Sequence, residues 1–377
     1  MIPIAALAVV LCTAWTILGF FNVVRIARRA KSRRIHTSVR RPALSVLKPL
    51  CGADPGLEDN LESFFVQRYP DYEIVFGVQD PHDPAIAVVE RLQERHPHVR
   101  ARLVVHTGGG GINPKVRNLR GMLPHAEHDL VVISDSNVHA PPHYLAEMVD
   151  TLHSRDNIGL VTNLFVGAGE NTLGAALENV QLNGFCAAGA ALPTALGDAL
   201  VVGKSMLLSR STFETLGGFE RVADVLAEDF VMGKMFQHAG YGVRIAPTVL
   251  ENVTSSMRVL GFMQRHLRWS MLRWRLRPAA YLLEPLTSPL ATLPLALLWL
   301  GPAGLAVTFG LLALRDVGGW VALRGWKRAW LPALLSPLRE ICVLFVWGRA
   351  LFKRHIEWRG HRVRLGAGTL LFAATKK

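Results

Sequence analysis

The sequence predicts an α/β fold, a parallel sheet covered by helices, with apolar segments before and after it that hold it at a membrane. Three observations carry that reading. Between about residue 43 and residue 250, short apolar runs alternate with more polar, helix-compatible stretches, the pattern of parallel strands joined by helical crossovers. Residues 3–24 carry no charge and, at about 1.5 Å per residue, are long enough to cross a hydrocarbon core of about 30 Å. Residues 286–314 are almost uncharged, and 329–352 form another apolar stretch, interrupted by Arg339-Glu340.

Residues 1–25 read as an uncleaved transmembrane anchor. A secretory signal peptide has a basic leader, a shorter apolar core and a small-residue cleavage site. Here the apolar run begins almost at Met1, and the basic residues follow it. They are Arg25, Arg28, Arg29, Lys31, Arg33, Arg34, Arg40 and Arg41, with no acidic residue before Asp54. Such clusters stay on the cytoplasmic side, so residues 26–42 are expected to form a basic juxtamembrane linker and residues 43–278 a cytosolic domain. The expected strands are 44–47, 72–78, 102–106, 130–134 and 159–165. In open sheets of this kind ligands sit beyond the carboxyl ends of the strands. Polar residues gather there: Lys48-Pro49, Gln79-Asp80 and Asp135-Ser136-Asn137. The glycines at 108–111 read as a flexible loop.

The basic, Trp-bearing stretch 265–277 leads into interfacial or transmembrane helices over 279–352, followed by a basic tail, 353–377. Two crossings would leave the tail in the cytosol but put Arg324, Lys327 and Arg328 outside, against the positive-inside tendency. A short hairpin split at Gly301-Pro302 is the competing topology, and the pattern leaves the span count open. Hydrophobic residues make up 50% of the chain and mean hydropathy is +0.25, so part of the chain is not water-soluble. The formal charge of +13 and pI near 10.1 match nucleic-acid binders in total but not in distribution. The basic residues crowd beside the apolar spans, where anionic lipid headgroups attract them; no nucleic-acid partner is expected. Cys12, Cys51, Cys186 and Cys342 show neither a CxxC pair nor zinc-ligand spacing, so neither a disulfide nor a structural metal is expected.

Four groups of residues carry chemistry. Asp80 ends an apolar strand, a position suited to accepting hydrogen bonds from a nucleoside base or ribose; alone, it reads more readily as a turn former. Asp135 and Asn137 offer a carboxylate and an amide oxygen two residues apart at the end of a second buried strand. That spacing suits a divalent ion, Mg²⁺ or Mn²⁺, bridging to a diphosphate, though an Asx turn explains the pair as well, and Asn137 is a weaker ligand than a second Asp. Glu228-Asp229 opens a helix-like run, where one carboxylate can accept the proton of an attacking hydroxyl; acids at helix starts are also common for dipole reasons alone. Arg265, Arg268 and Trp269 share one helical face, fit to neutralise a leaving diphosphate and cover it with an indole, or simply to lie at a membrane surface.

Taken together, the order of these motifs resembles the GT-A, Rossmann-like glycosyltransferases of family 2, with three Asp motifs followed by an (Arg/Gln)-x-x-Arg-Trp box. More closely, the chain from Lys48-Pro49-Leu50 through Trp269 resembles the ceramide glucosyltransferase family. The match rests on Val78-Gln79-Asp80-Pro81-His82-Asp83-Pro84-Ala85, Asn113-Pro114-Lys115, Ser134-Asp135-Ser136, Ala227-Glu228-Asp229-Phe230 and the Arg-Trp box. Gln181-Leu182-Asn183-Gly184-Phe185, Val201-Val202-Gly203-Lys204-Ser205-Met206 and the stretch from Ala223 to Asp229 are most similar to the family's bacterial hopanoid-biosynthesis branch. The resemblance implies a multi-pass protein of the bacterial inner membrane. It also implies transfer of N-acetylglucosamine from a UDP-sugar to a hopanoid such as bacteriohopanetetrol, with glucosylation of ceramide as the rival. By position it implies Asp80 on the uridine, Lys115 on the nucleotide, Asp135 on the metal, Asp229 on the acceptor hydroxyl, and Arg265, Arg268 and Trp269 on the diphosphate and acceptor. Asn137 departs from the pattern and leaves the second metal ligand in doubt. A catalytically silent nucleotide-binding scaffold is the reading from another class; it has no need of an acid at Asp229.

Overall fold

A computed structural model describes residues 2–31, 41–195, 197, 200–358 and 361–373. Arg33, Arg34 and Arg40 of the basic stretch and residues 374–377 of the tail lie outside the described residues. The chain divides into two compact units. One comprises Met1–Lys31, Phe165–Leu196 and Thr254–Thr369, the other Ser32–Leu164, Gly197–Val253 and Leu370–Lys377.

The second of these is the α/β unit. Its strands are β1 (Leu44–Pro49), β2 (Tyr72–Val78), β3 (Arg100–Val105), β4 (Leu130–Ser134), β5 (Val138–His139), β6 (Ile158–Ala168), β7 (Ser205–Ser209) and β8 (Gly242–Val253), with β6 continuing past Leu164 into the other unit. They form one sheet in the order β3-β2-β1-β4-β7-β6-β8-β5. The first four are parallel, with Val46 registered against both Ile74 and Val132. The helices Leu57–Phe65 and Ala85–Arg95 supply the crossovers, burying Leu61, Phe64, Phe65, Val89 and Leu92; each such side chain contributes about 1.5–3 kcal/mol on leaving water.

The expected parallel sheet is mixed beyond β4: β7 runs antiparallel to β4, β6 antiparallel to β7, and β5 antiparallel to β8. A continuous apolar run reports that a strand is buried on both faces, but not which way it runs. The runs also leave out β7 and β8, whose buried Ser205, Thr248 and Asn252 interrupt their apolar character.

Among the described residues of the other unit, three helices are long and apolar enough to cross a membrane: Ile2–Ala30, Ala303–Arg324 and Trp330–Phe352; the pair Pro278–Thr287 and Pro289–Leu300, bent by 61°, would make a fourth. The chain breaks at Gly301-Pro302 with Gly301 at φ +58°, and a Cβ on Gly304 would come within 2.6 Å of the Ala296 carbonyl carbon. The two helices flanking this turn therefore pack backbone to backbone. Arg339-Glu340 belongs to a larger network: Arg315 bonds Asp316 (2.8 Å) and Glu340 (2.8 Å), Arg339 bonds both Asp316 and Glu340, and Ser288 donates to Glu340. All four charged residues are buried, two of each sign, so each buried charge has an opposite partner.

Candidate active site

The carboxyl ends of β1 and β4 converge on Asp135. Lys48, the last-but-one residue of β1, is fully buried; its Nζ donates to the Asp135 carbonyl at 2.7 Å and lies 3.7 Å from the centre of the Phe64 ring. Burial lowers its proton affinity well below that of an ordinary lysine, against the pull of Asp135.

Lys115 is placed by a helix start. Asn113 caps the helix Pro114–Met122, its Oδ1 accepting from the Lys115 and Val116 amides, with Pro114 in the first turn. The Asn113 amide group in turn donates to the Val225 carbonyl at 2.7 Å and to Glu228 at 3.2 Å. Lys115 Nζ thereby reaches Asp135 Oδ1 (2.9 Å), Glu228 Oε1 (3.2 Å) and the Gly203 carbonyl (2.8 Å). Burial alone would lower this lysine, but Asp135 and Glu228 outweigh it and keep the ammonium charged. Asp135 is held below the usual carboxylate range, its burial outweighed by Lys115 and Lys204.

Glu228 and Asp229 open the helix Glu228–His238. Asp229 Oδ2 accepts from the Gly203 amide at 2.6 Å, and Oδ1 from its neighbour Phe230 at 2.8 Å. A Cβ on residue 203 would lie 2.8 Å from Asp229 Oδ2, so only glycine allows this approach. Both carboxyls bind their protons more tightly than usual, because of burial first, with Lys115 opposing; the Asp229 charge adds to the rise at Glu228, and the Asp135 charge to the rise at Asp229. One carboxyl is therefore engaged with Lys115 and Asn113, while Asp229, partly exposed, is aimed by two backbone amides.

Asn137 Oδ1 accepts from Lys204 Nζ at 2.9 Å, and its Nδ2 donates to Asn252 at 3.0 Å. The donor set at Asp135 and Asn137, one carboxylate and one amide oxygen, fits in kind the hard divalent ions Mg²⁺ and Mn²⁺, with the remaining positions left to phosphate and water. A separate group of possible ligands, Glu73, Glu127 and His128, lies at the amino ends of β2 and β4, away from these strand ends. Its Glu73 accepts from Ser45 and from the Glu127 amide, and Glu127 pairs with Arg102 at 2.8 Å, so its anions are already answered.

The structure thus brings together Lys115, Asp135, Asn137 and Asp229. Asp80 stands apart, in an exposed turn after β2 where its Oδ1 accepts from the His82 amide at 2.9 Å. Arg265, Arg268 and Trp269 lie on the helix Val259–Leu276 of the other unit. There Arg265 (3.0 Å) and His266 (2.8 Å) bond the two oxygens of Glu178, which is fully buried, and the His266 ring meets Trp269 edge-on at 5.0 Å. Burial would raise Glu178, but His266 and Arg265 outweigh it and bring it down to about 2. Sequence reasoning did not single out Glu178, Lys204 or Asn113. A single charged residue in the segment Leu173–Gln181 was the available signal for the first.

Residues 4–371 match the sequence profile of glycosyl transferase family 21. The chain belongs to that family. Among curated family relatives, ceramide glucosyltransferase 1 of Caenorhabditis elegans is 28% identical over 359 residues, covering 93% of this chain and 76% of the relative. Ceramide glucosyltransferase 3 of the same organism is 26% identical, covering 91% and 78%, and the ceramide glucosyltransferase of Komagataella phaffii is 35% identical over 37% of this chain and 28% of its own length. Among solved structures, the Pyrobaculum calidifontis mannosyltransferase in complex with GDP-Man and Mn²⁺ superposes with a TM-score of 0.51 at 21% identity, covering 92% of this chain and 99% of the other. That likeness fixes the fold as GT-A-like. The family 21 assignment makes the chain a glycosyltransferase and gives the strand-end cluster an enzyme's setting.

Proposed function

We propose that this family 21 chain moves a hexosyl group from a UDP-sugar to the hydroxyl of a membrane lipid, with inversion at the anomeric carbon, and that Asp229 is the general base. The observation that carries this reading is the Asp229 carboxyl, raised in proton affinity, aimed by the Gly203 and Phe230 amides, and set beside the Lys115–Asp135 pair. Asp229 takes the proton of the lipid hydroxyl as its oxygen bonds to the anomeric carbon; the bond from that carbon to the diphosphate breaks, and UDP departs. A single displacement gives a β-glycoside from an α-linked donor. Lys115 contributes a fixed positive charge, Asp80 the contact to the uridine, and Arg265, Arg268 and Trp269 the contacts to the diphosphate and acceptor. Asp135 and Asn137 would hold a divalent ion, which would supply Lewis-acid neutralisation of the leaving diphosphate.

The motif resemblance favours N-acetylglucosamine and a hopanoid, in the bacterial inner membrane with the catalytic domain cytosolic. The curated relatives favour glucose and ceramide, and the two readings divide at the acceptor. Membranes containing the protein, given Mg²⁺ or Mn²⁺, UDP-N-acetylglucosamine or UDP-glucose, and bacteriohopanetetrol or ceramide, are expected to yield one glycolipid detectable by mass spectrometry, lost in Asp229→Asn. A product formed equally by Asp229→Asn would remove the base assignment. No product from any pair, with UDP still bound, would leave a silent scaffold.

A further inference from the structure

The helix Trp330–Phe352 is long and apolar enough to cross a bilayer, yet the chain on either side of it leads straight back to the sheet. Just before it, Arg328 donates to the Glu170 carbonyl at 2.6 Å and Arg324 to the Glu170 carboxylate at 2.8 Å. Glu170 lies just past Ala168, the end of β6. After it, the strands His355–Trp358 and His361–Leu365 fold back on each other, so that the Leu365 amide donates to the Arg354 carbonyl at 2.9 Å. The chain then rejoins the α/β unit, where Leu370 bridges Val225 and the Leu371 amide donates to the Asp224 carbonyl at 2.7 Å. From Leu365 to Leu370 it reaches at most about 18 Å, too little to recross a hydrocarbon core of about 30 Å.

Packing points the same way. Leu331, in the first turn, packs on Ala176 and Val180; at the far end Trp347 and Tyr281 exchange hydrogen bonds at 2.9 and 3.0 Å, and Arg275 reaches the Lys353 carbonyl at 3.5 Å. The helix thus lies along Val259–Leu276, whose four arginines and one histidine within 18 residues suit a membrane surface and not a crossing. Its own surface is divided lengthwise. Ser336, Arg339, Glu340, Val346 and Ala350 are buried, whereas Trp330, Leu334, Leu338, Ile341, Phe345 and Phe352 are 42–83% exposed and share an arc of about 80° at 3.6 residues per turn. Lys327 and Arg328 precede this stripe, and Arg349, Lys353 and Arg354 close it. A span collects such residues on one side; a helix lying in the surface meets anionic headgroups at both ends. We propose that Trp330–Phe352 is an in-plane helix, immersed lengthwise in the leaflet that faces the α/β unit, with the stripe among the acyl chains and the basic ends among the headgroups. The conflict with the positive-inside tendency then disappears, because Arg324, Lys327 and Arg328 stay on the α/β side.

The test is amine labelling of the full-length protein in sealed membrane vesicles of either orientation, with a membrane-impermeant acylating reagent and mass spectrometry of the peptides. Lys234 of the α/β unit marks the reference face. Lys327 before the helix and Lys353 after it should both be modified from that face, in the wild type and in Arg354→Lys, which adds an exposed amine at the far end. Any result in which the two ends are not both reached from the Lys234 face overturns the proposal. The occupant of the stripe is read by p-benzoylphenylalanine in place of Leu334, Ile341 or Phe345, in vesicles of phosphatidylcholine and phosphatidylglycerol. Irradiation should yield adducts with lipid acyl chains. A cross-linked dimer in their stead would show a second copy covering the stripe, and no lipid adduct at any of the three positions would show that it is not immersed; either result overturns the proposal.

Discussion

Replacing Gly203 with alanine separates catalysis from stability. The added Cβ would lie 2.8 Å from Asp229 Oδ2 and 2.9 Å from its Cβ, so the carboxyl must retreat by about 0.7 Å to reach ordinary van der Waals distance. Retreat stretches or breaks the 2.6 Å bond from the residue 203 amide, one of the two that aim the base. A misplacement of that size in a reacting group costs about 100-fold in turnover, equivalent to about 2.7 kcal/mol of barrier. Folding stability should barely change. Gly203 is not among the glycines with positive φ, so alanine is conformationally allowed and stabilises by about 0.4–1 kcal/mol through the unfolded chain, offsetting a lost hydrogen bond of about 1 kcal/mol. Steady-state glycolipid formation beside a thermal melt is the assay. Turnover within about threefold of wild type at an unchanged melting temperature would refute the placement of Asp229 as base.

Since Asp229 must be ionised to act and its proton affinity is raised, kcat/KM should rise with pH through an acid limb above the ordinary value of about 3.9. Glu228→Gln, which removes the adjacent negative charge, should move that limb down; a pH–rate profile showing no movement or an upward one contradicts the coupling. Glu178→Gln should lower the melting temperature, because it takes the shared anion from Arg265 and His266. The depressed Glu178, about 2 against about 4.3 unfolded, contributes about 3 kcal/mol, present above the unfolded value and lost as pH falls towards 2, so the deficit of the variant should narrow in acid. Arg339→Ala should destabilise the detergent-solubilised protein by about 3–5 kcal/mol by leaving its acidic partners short of one cation. Arg339→Met with Glu340→Met, which keeps the Arg315–Asp316 pair, should cost less; a double variant as weak as the single would argue against the charge network.

Much of the fold was legible because its signals are local. The runs 72–78 and 130–134 coincide with β2 and β4, and Asp135 follows its strand as an end-of-strand ligand should. Strand direction was not legible, since β6 and β7 owe their antiparallel pairing to contacts distant in the chain. At the candidate site, acids that emerge from strands or open helices could be read from position alone. The roles of Lys204 and Asn113 could not, because each depends on partners far away in sequence, Asn137 and Glu228 respectively. Glu228-Asp229 shows the same limit: adjacency identified the pair, whereas the division of labour between them comes from Lys115 on one side and Gly203 on the other.

Lys115 also sets when this protein can begin to work. Its ammonium is bonded to groups at positions 135, 203 and 228, so the cluster around it closes only after the ribosome has delivered the helix beginning at Glu228. Contacts of such long sequence separation form late in folding. A nascent or truncated chain ending before that helix has β1 to β4 but lacks the carboxylate at position 228 that pairs with Lys115.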